Sequence, residues 1–212
     1  MGLKIGELYK ERNPSKWSDF NRHMPNTPTS AFGFSGTLAD INRWRARFRA
    51  AASYEGIQLA DYTTQETITG YSSLIRAILV WSAFERYLSV LGIAQKDCGQ
   101  LIEKYNNDDI AGNVAHLDEN NLLFSYIRSK VTSQSLSNEL NNYFQNKSFN
   151  VSYLLSAIRH IFGHGHLTPG SNDVNAATTA QICDLLCNFH MSVMDNDFSE
   201  KVSEFEKMIS NI

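Results

Sequence analysis

Apolar and polar positions along this chain follow one period almost throughout, that of the α-helix. Ile41, Trp44, Phe48, Ala51 and Ala52 recur at helical spacing and predict a helix over 38–52. Thr37 and Asp40 stand ahead of it as a capping box, with Asp in place of the usual Glu. Gly56 breaks the pattern, and residues 57–62 (IQLADY) read as a short extended piece. Thr63 and Glu66 then form a second capping box. Beyond it Ile68, Tyr71, Leu74, Ile75, Ile78, Leu79, Trp81, Phe84, Leu88 and Leu91 keep the period up to Gly92. That run predicts one helix of about seven turns, with Gly70 as the point where a bend is expected.

Residues 97–105 read as a short helix, and 120–131 and 133–145 as two more, split at Thr132-Ser133. Val151, Leu154, Leu155, Ile158, Ile161 and Phe162 make the next amphipathic helix, which should end at Gly163. Ser152, Ser156 and Arg159 form its opposite stripe, with His160 beside it. A loop over 164–172, holding Gly165, Pro169 and Gly170, leads to a helix over about 173–194 with Ile182, Leu185, Leu186, Phe189 and Val193 on one face. Asp195-Asn196-Asp197 reads as a turn into a last helix over 198–210.

The pattern implies an all-α fold whose short loops suit an antiparallel helical bundle. Three of the four prolines lie between Pro14 and Pro28, and residues 1–36 read as irregular or loosely packed. The expected organisation is therefore an N-terminal extension with one helix (1–62) and a helical domain (63–212). There is no internal repeat and no low-complexity tract.

Composition narrows the function classes. Apolar residues make up 42% and charged residues 19% of the 212, enough for a sizeable core. A net charge of −3 provides no global basic field for nucleic acid, although a local patch would suffice. The start, MGLKIGELYKERN, lacks the apolar stretch of a signal peptide, and Gly6 stands where a myristoylation signal wants Ser or Thr. The apolar run from Ala77 to Phe84 is too short to cross a bilayer. Cys98, Cys183 and Cys187 have no framework spacing, which suggests free thiols and a cytoplasmic protein. Cys183 and Cys187, four apart on one helix face, read as core packing.

Chemistry concentrates in SAIRHIFGHGH, residues 156–166, which holds three of the six histidines. A metal site is one reading, since His160 and His164 are four apart and His166 follows. No cysteine or carboxylate lies nearby to complete a tetrahedral set, however, and the HEXXH pattern is absent. The second reading is proton chemistry on a phosphate. Arg159 lies one turn before the helix end and can fork onto phosphate oxygens. His164 lies just beyond that end, near the negative pole of the helix dipole, where an imidazole holds or releases a proton near neutral pH. The simplest reading is a histidine that caps helix carbonyls, beside an exposed arginine.

Arg159-His160-Ile161-Phe162-Gly163-His164 resembles the R-x4-6-H signature of HEPN domains. His160 after the arginine and Gly165 after the histidine match that family's habit. The resemblance covers about residues 64–195, and residues 1–62 have no obvious counterpart in it. It implies a HEPN-like helical bundle that forms a homodimer, with two motifs across one cleft. It also implies a metal-independent endoribonuclease of prokaryotic defence or stress response, with no cofactor, with RNA as substrate and with an antitoxin or other protein partner. Some members are instead non-catalytic modules that dimerise or bind a protein or ligand. Carried onto this chain, Arg159 would steady the scissile phosphate, His164 would be the general acid or base, and His160 would position the substrate or the opposing histidine. An early helix in the family carries an acidic residue beside the arginine. Glu85, flanked by apolar neighbours in the long helix, is the matching candidate to orient Arg159. Pairing with Arg86 or exposure to solvent is its alternative.

One other stretch bears on nucleic acid. Asn42 to Arg49 (NRWRARFR) interleaves Arg43, Arg45, Arg47 and Arg49 with Trp44 and Phe48, as in grooves that grip single strands. On a helix the two aromatics share one face and pack inward, which leaves an ordinary amphipathic helix with solvated arginines. It is still the best candidate RNA-contacting patch. Asn106 to Asp109 reads as a loop and cap, and His23, His116 and His190 stand isolated.

Overall fold

The structure, a computed structural model, describes residues 12–61, 64–105 and 107–211. Among them it is all-helical, with α1 (Trp17–His23), α2 (Leu38–Ala52), α3 (Gln65–Leu91), α4 (Gly99–Glu103), α5 (Asn107–Leu117), α6 (Leu122–Lys130), α7 (Gln134–Phe144), α8 (Ser152–Gly163) and α9 (Ala176–Ser210), plus short 3₁₀ turns. None of these helices is long and apolar enough to cross a membrane. The Thr63–Glu66 capping box rests on Thr63, outside the described residues, as do the N-terminal stretch up to Glu11 and Asn106.

The boundaries of α2, α3, α6, α7 and α8 agree closely with the periodicity. Thr37 and Asp40 make the reciprocal capping box: the Asp40 amide donates to the Thr37 hydroxyl, and the Thr37 amide to the Asp40 carboxylate. Residues 57–59 take no regular structure, so IQLADY forms no strand there.

Four expectations are corrected. Residues 95–105 form a 3₁₀ turn and the five-residue α4, and the chain then enters α5, where only a loop and cap were expected. Asp195-Asn196-Asp197 does not end a helix, since α9 runs unbroken for 35 residues. The two aspartates, which locally favour a turn, are buried and satisfied across the core. Asp195 accepts from the Ser15 amide and hydroxyl at 2.6 Å each, and Asp197 accepts from the Tyr87 hydroxyl at 2.7 Å. Tertiary hydrogen bonds thus remove the local reason to break the helix.

The third correction concerns the N-terminal segment, which is not loose. α1 and the turns after it bury Trp17, Phe20, Phe32 and Phe34. Phe20 meets Phe198 of α9 with ring centroids 5.3 Å apart, and Phe32 meets Phe205 at 4.2 Å. These rings belong to the same apolar core as α3 and α9, so the segment that carries them, residues 17–34, packs into the body that holds those helices. Four rings of this size bury enough apolar area to matter for the whole fold.

The fourth correction is one of direction. Gly70 lies against Ala176, Arg76 bonds to Asp184 and Asn188, Phe84 meets His190, and Tyr87 bonds to Asp197. Partners rise together in number, so α3 and α9, the longest helices, run parallel. The long connection that holds α4 to α8 returns the chain to make this possible. α2 is antiparallel to α3 (Asp40 to Arg86, Arg47 to Ser82), and so is α8, which starts with Ser152 beside Cys98, just past the end of α3, and ends with Phe162 6.5 Å from Tyr71.

Candidate functional site

Of the residues singled out in sequence, Arg159, His160 and His164 lie together at the C-terminal end of α8. Ser152, Tyr153, Leu154, Leu155, Ala157, Ile158 and Ile161 are buried in contact with α3, α6, α7 and α9. That leaves Ser156, Arg159, His160 and Phe162 half-buried on the remaining stripe, the usual outcome for an amphipathic helix.

The tip is closed by a defined turn. The His166 amide donates to the Ile161 carbonyl at 3.0 Å and the Gly165 amide to Phe162 at 2.9 Å, while Gly165 takes φ +75°. This is the paired hydrogen bonding of a Schellman cap with glycine at its left-handed position. His164 is the cap residue and lies exposed. The loop that follows is pinned on three sides. Tyr126 of α6 donates its hydroxyl to the His166 carbonyl, Asn172 donates to the Leu122 carbonyl, and Thr179 of α9 donates to the Pro169 carbonyl. Pro169 packs so closely on Gly70 that a Cβ there would come within 2.5 Å of the proline ring. Gly70 therefore serves a helix–loop contact, which the sequence had suggested only as a bend.

Within this frame the His160 and His164 rings meet nearly edge to face, with centroids 4.5 Å apart. Burial, together with the nearby His164 and the positive charge of Arg159, holds the His160 pKa below the ordinary histidine range, so this imidazole is neutral at pH 7. Arg159 is half-buried and makes no hydrogen bond or ion pair with a described residue. The cluster therefore offers a guanidinium uncommitted to any described carboxylate, a neutral imidazole and an exposed imidazole, all within about one and a half helical turns. Among the described residues, no three His, Cys, Asp or Glu side chains are grouped to hold a metal ion.

Glu85 is not brought to Arg159 within the chain. It is exposed, and no ion pair joins the two. Geometry explains this: Phe162, three residues after Arg159, lies at the level of Tyr71, and Glu85 is fourteen residues further along α3, about 21 Å at the helical rise. Arg86 next to it pairs with Asp40 of α2 instead.

The arginine row on α2 is largely engaged in the fold. Arg43 pairs with Asp40 at 3.3 Å, Arg45 stacks on Trp17 with its guanidinium carbon 4.4 Å from the ring centroid and donates to Asn13, and Arg47 donates to Ser82. Arg49 is exposed. Trp44 and Phe48 are fully buried, so neither is available to stack on a base. Cys183 and Cys187 are buried free thiols.

Sequence reading missed two features. Arg76 is buried on the core face of α3, where its guanidinium donates to Asp184 at 3.2 Å and to Asn188 at 2.7 Å. An arginine inside the apolar run SSLIRAILVW was the available signal, because a buried charge demands partners. Tyr126, which holds the α8 tip, gave no signal, since its partner is a backbone carbonyl forty residues away.

No protein-family model, no curated protein and no solved structure matches this chain.

Proposed function

We propose that this protein is a metal-independent endoribonuclease of the HEPN type, acting as a homodimer in prokaryotic defence or stress response. The observation that carries the reading is the uncommitted Arg159 beside the touching pair His160 and His164 at the tip of α8. These groups suffice for cleavage by the substrate's own 2′-hydroxyl. That oxygen attacks the adjacent phosphorus and the bond to the 5′-oxygen breaks. His164 exchanges the proton, as the base toward the 2′-hydroxyl or the acid toward the leaving 5′-oxygen. Arg159 neutralises the charge that grows on the non-bridging oxygens. His160, held neutral, positions the substrate or the opposing histidine by hydrogen bonding. A homodimer would supply a second such tip across a shared groove, and an antitoxin or other protein partner would cover it.

The test is cleavage of a labelled RNA by the purified protein in the presence of EDTA, with His164→Ala beside it. Loss of a general acid or base costs about 10²–10⁴-fold in rate, so the variant should be inactive while its helical spectrum and melting stay unchanged. A variant that cuts as fast as the parent sinks the assignment.

A second reading, a non-catalytic module that dimerises or binds a protein or ligand, draws support from Glu85, which stands far from Arg159, and from the engagement of three of the four α2 arginines within the fold. It predicts a dimer by sedimentation and intact RNA after prolonged incubation with the parent.

A further inference from the structure

Beside the α8 tip lies a second group of side chains that the proposed chemistry does not use. α6 packs against α8 and carries Tyr126, half-exposed, and Lys130, exposed. The Tyr126 hydroxyl donates to the carbonyl of His166, two residues from His164. The Lys130 ammonium lies over the Tyr126 ring, 5.5 Å from its centroid. A cation and an aromatic ring are thus tied by one hydrogen bond to the turn that carries His164. The carboxylates of Asp118 and of the turn that holds Asp173 belong to the other end of α6, where Asp118 accepts from the Leu123 and Phe124 amides and Asn172 bonds to Leu122. Lys130 is eight residues from Leu122, about 12 Å along the helix. Arg128 is turned away to Asn141.

We infer that Lys130 and Tyr126 form a nucleotide-binding subsite for single-stranded RNA, next to the reacting phosphate held at the α8 tip. The inference rests on the ribonuclease reading. A polyanion that crosses from Arg159 to α6 meets the pairing that single-strand binders use, a positive charge for the backbone and a ring for a base. An ammonium held over a half-exposed tyrosine is only weakly bound. A base can take its place on the ring, and the freed ammonium then meets a phosphate oxygen. Trp44 and Phe48 on α2 are buried and cannot offer this, so the strand is held from α6 and not from the arginine-rich helix.

The experiment uses the full chain with His164→Ala, so that RNA stays intact, and a fluorescein-labelled mixed-sequence single-stranded RNA read by anisotropy. Adding Lys130→Glu should weaken binding about tenfold and lower the slope of log affinity against log salt by about 0.7, the share of one phosphate contact on a single strand. Tyr126→Ala should weaken binding about fivefold to a hundredfold, the range for one stacked base. Tyr126→Phe keeps the ring, gives up only the bond to His166, and should stay within about twofold of its parent. Lys130 is exposed, so its variant should fold, as a melting curve will check. Undiminished binding in both Lys130→Glu and Tyr126→Ala overturns the subsite, and so does absence of RNA binding by the parent. Cleavage by the protein with His164 intact is scored separately. If the parent cuts RNA and these variants bind as well as their parent, the subsite fails and the nuclease reading stands.

Discussion

His190 should make this protein lose stability in mild acid, by an amount the structure lets one work out. The side chain is fully buried in α9 between Phe189 and Phe84, with the Phe84 ring centroid 4.8 Å away. Its Nδ1 lies 2.6 Å from the Leu186 carbonyl and donates to it. Nε2 is then the acceptor nitrogen, and it is buried with no partner. Protonation would place a charge there with nothing to receive it. Burial accordingly pushes the pKa down to about 4, against the bond to Leu186, which pulls it up. In the unfolded chain the same histidine titrates near 6.5. Between those two values the unfolded state binds more protons, so stability falls as pH drops from about 6.5 to about 4, by about 3 kcal/mol in all from this one group. Above pH 6.5 it adds no pH dependence. The assay is urea unfolding at pH 7, 5.5 and 4.5 for the parent and for His190→Leu, which removes the titrating ring. The parent should lose about 2.5 kcal/mol more than the variant between pH 7 and 4.5, whatever the carboxylates contribute to both. Equal pH dependence in the two proteins would refute the reasoning. The comparison also serves the nuclease assay, because a fall in rate below pH 6 otherwise mixes titration of the site with loss of the fold.

Two further predictions follow from the same geometry. Gly165→Ala places a Cβ at φ +75° with nothing within 4 Å, so its cost is backbone strain alone, about 1–2 kcal/mol by thermal melting, and cleavage should fall as His164 loses its fixed turn. Tyr87→Phe leaves the Asp197 carboxylate buried without its donor, and urea unfolding at pH 7 should show a loss of about 2–3 kcal/mol, since bonds to charged groups are the costly ones to break.

Much of the architecture is written in local pattern. α2, α3 and α8 could be drawn from the sequence because each buries one face, and a one-faced helix must repeat its apolar residues every three or four positions. Thr37 and Gly92 mark their ends by chemistry that acts within a few residues. The grouping of Arg159, His160 and His164 was legible for the same reason, as they lie within one and a half turns of each other. Glu85 was not, because whether a carboxylate faces an arginine seventy-four residues later depends on how far α8 slides along α3. Phe20 lies in the two-turn α1 and Phe32 and Phe34 in and just after a 3₁₀ turn, segments too short to show a period, and it is the rings of α9 that they pack against. Asp195 and Asp197 stay helical because Ser15 and Tyr87 reach them from elsewhere in the chain. The sequence alone determined the helices whose faces and caps are local, and the chemistry at the tip of α8. The tertiary structure decided the parallel course of α3 and α9, the place of Trp17, Phe20, Phe32 and Phe34 in the core and the partners of the buried charges, because those are set by contacts between residues far apart in the chain.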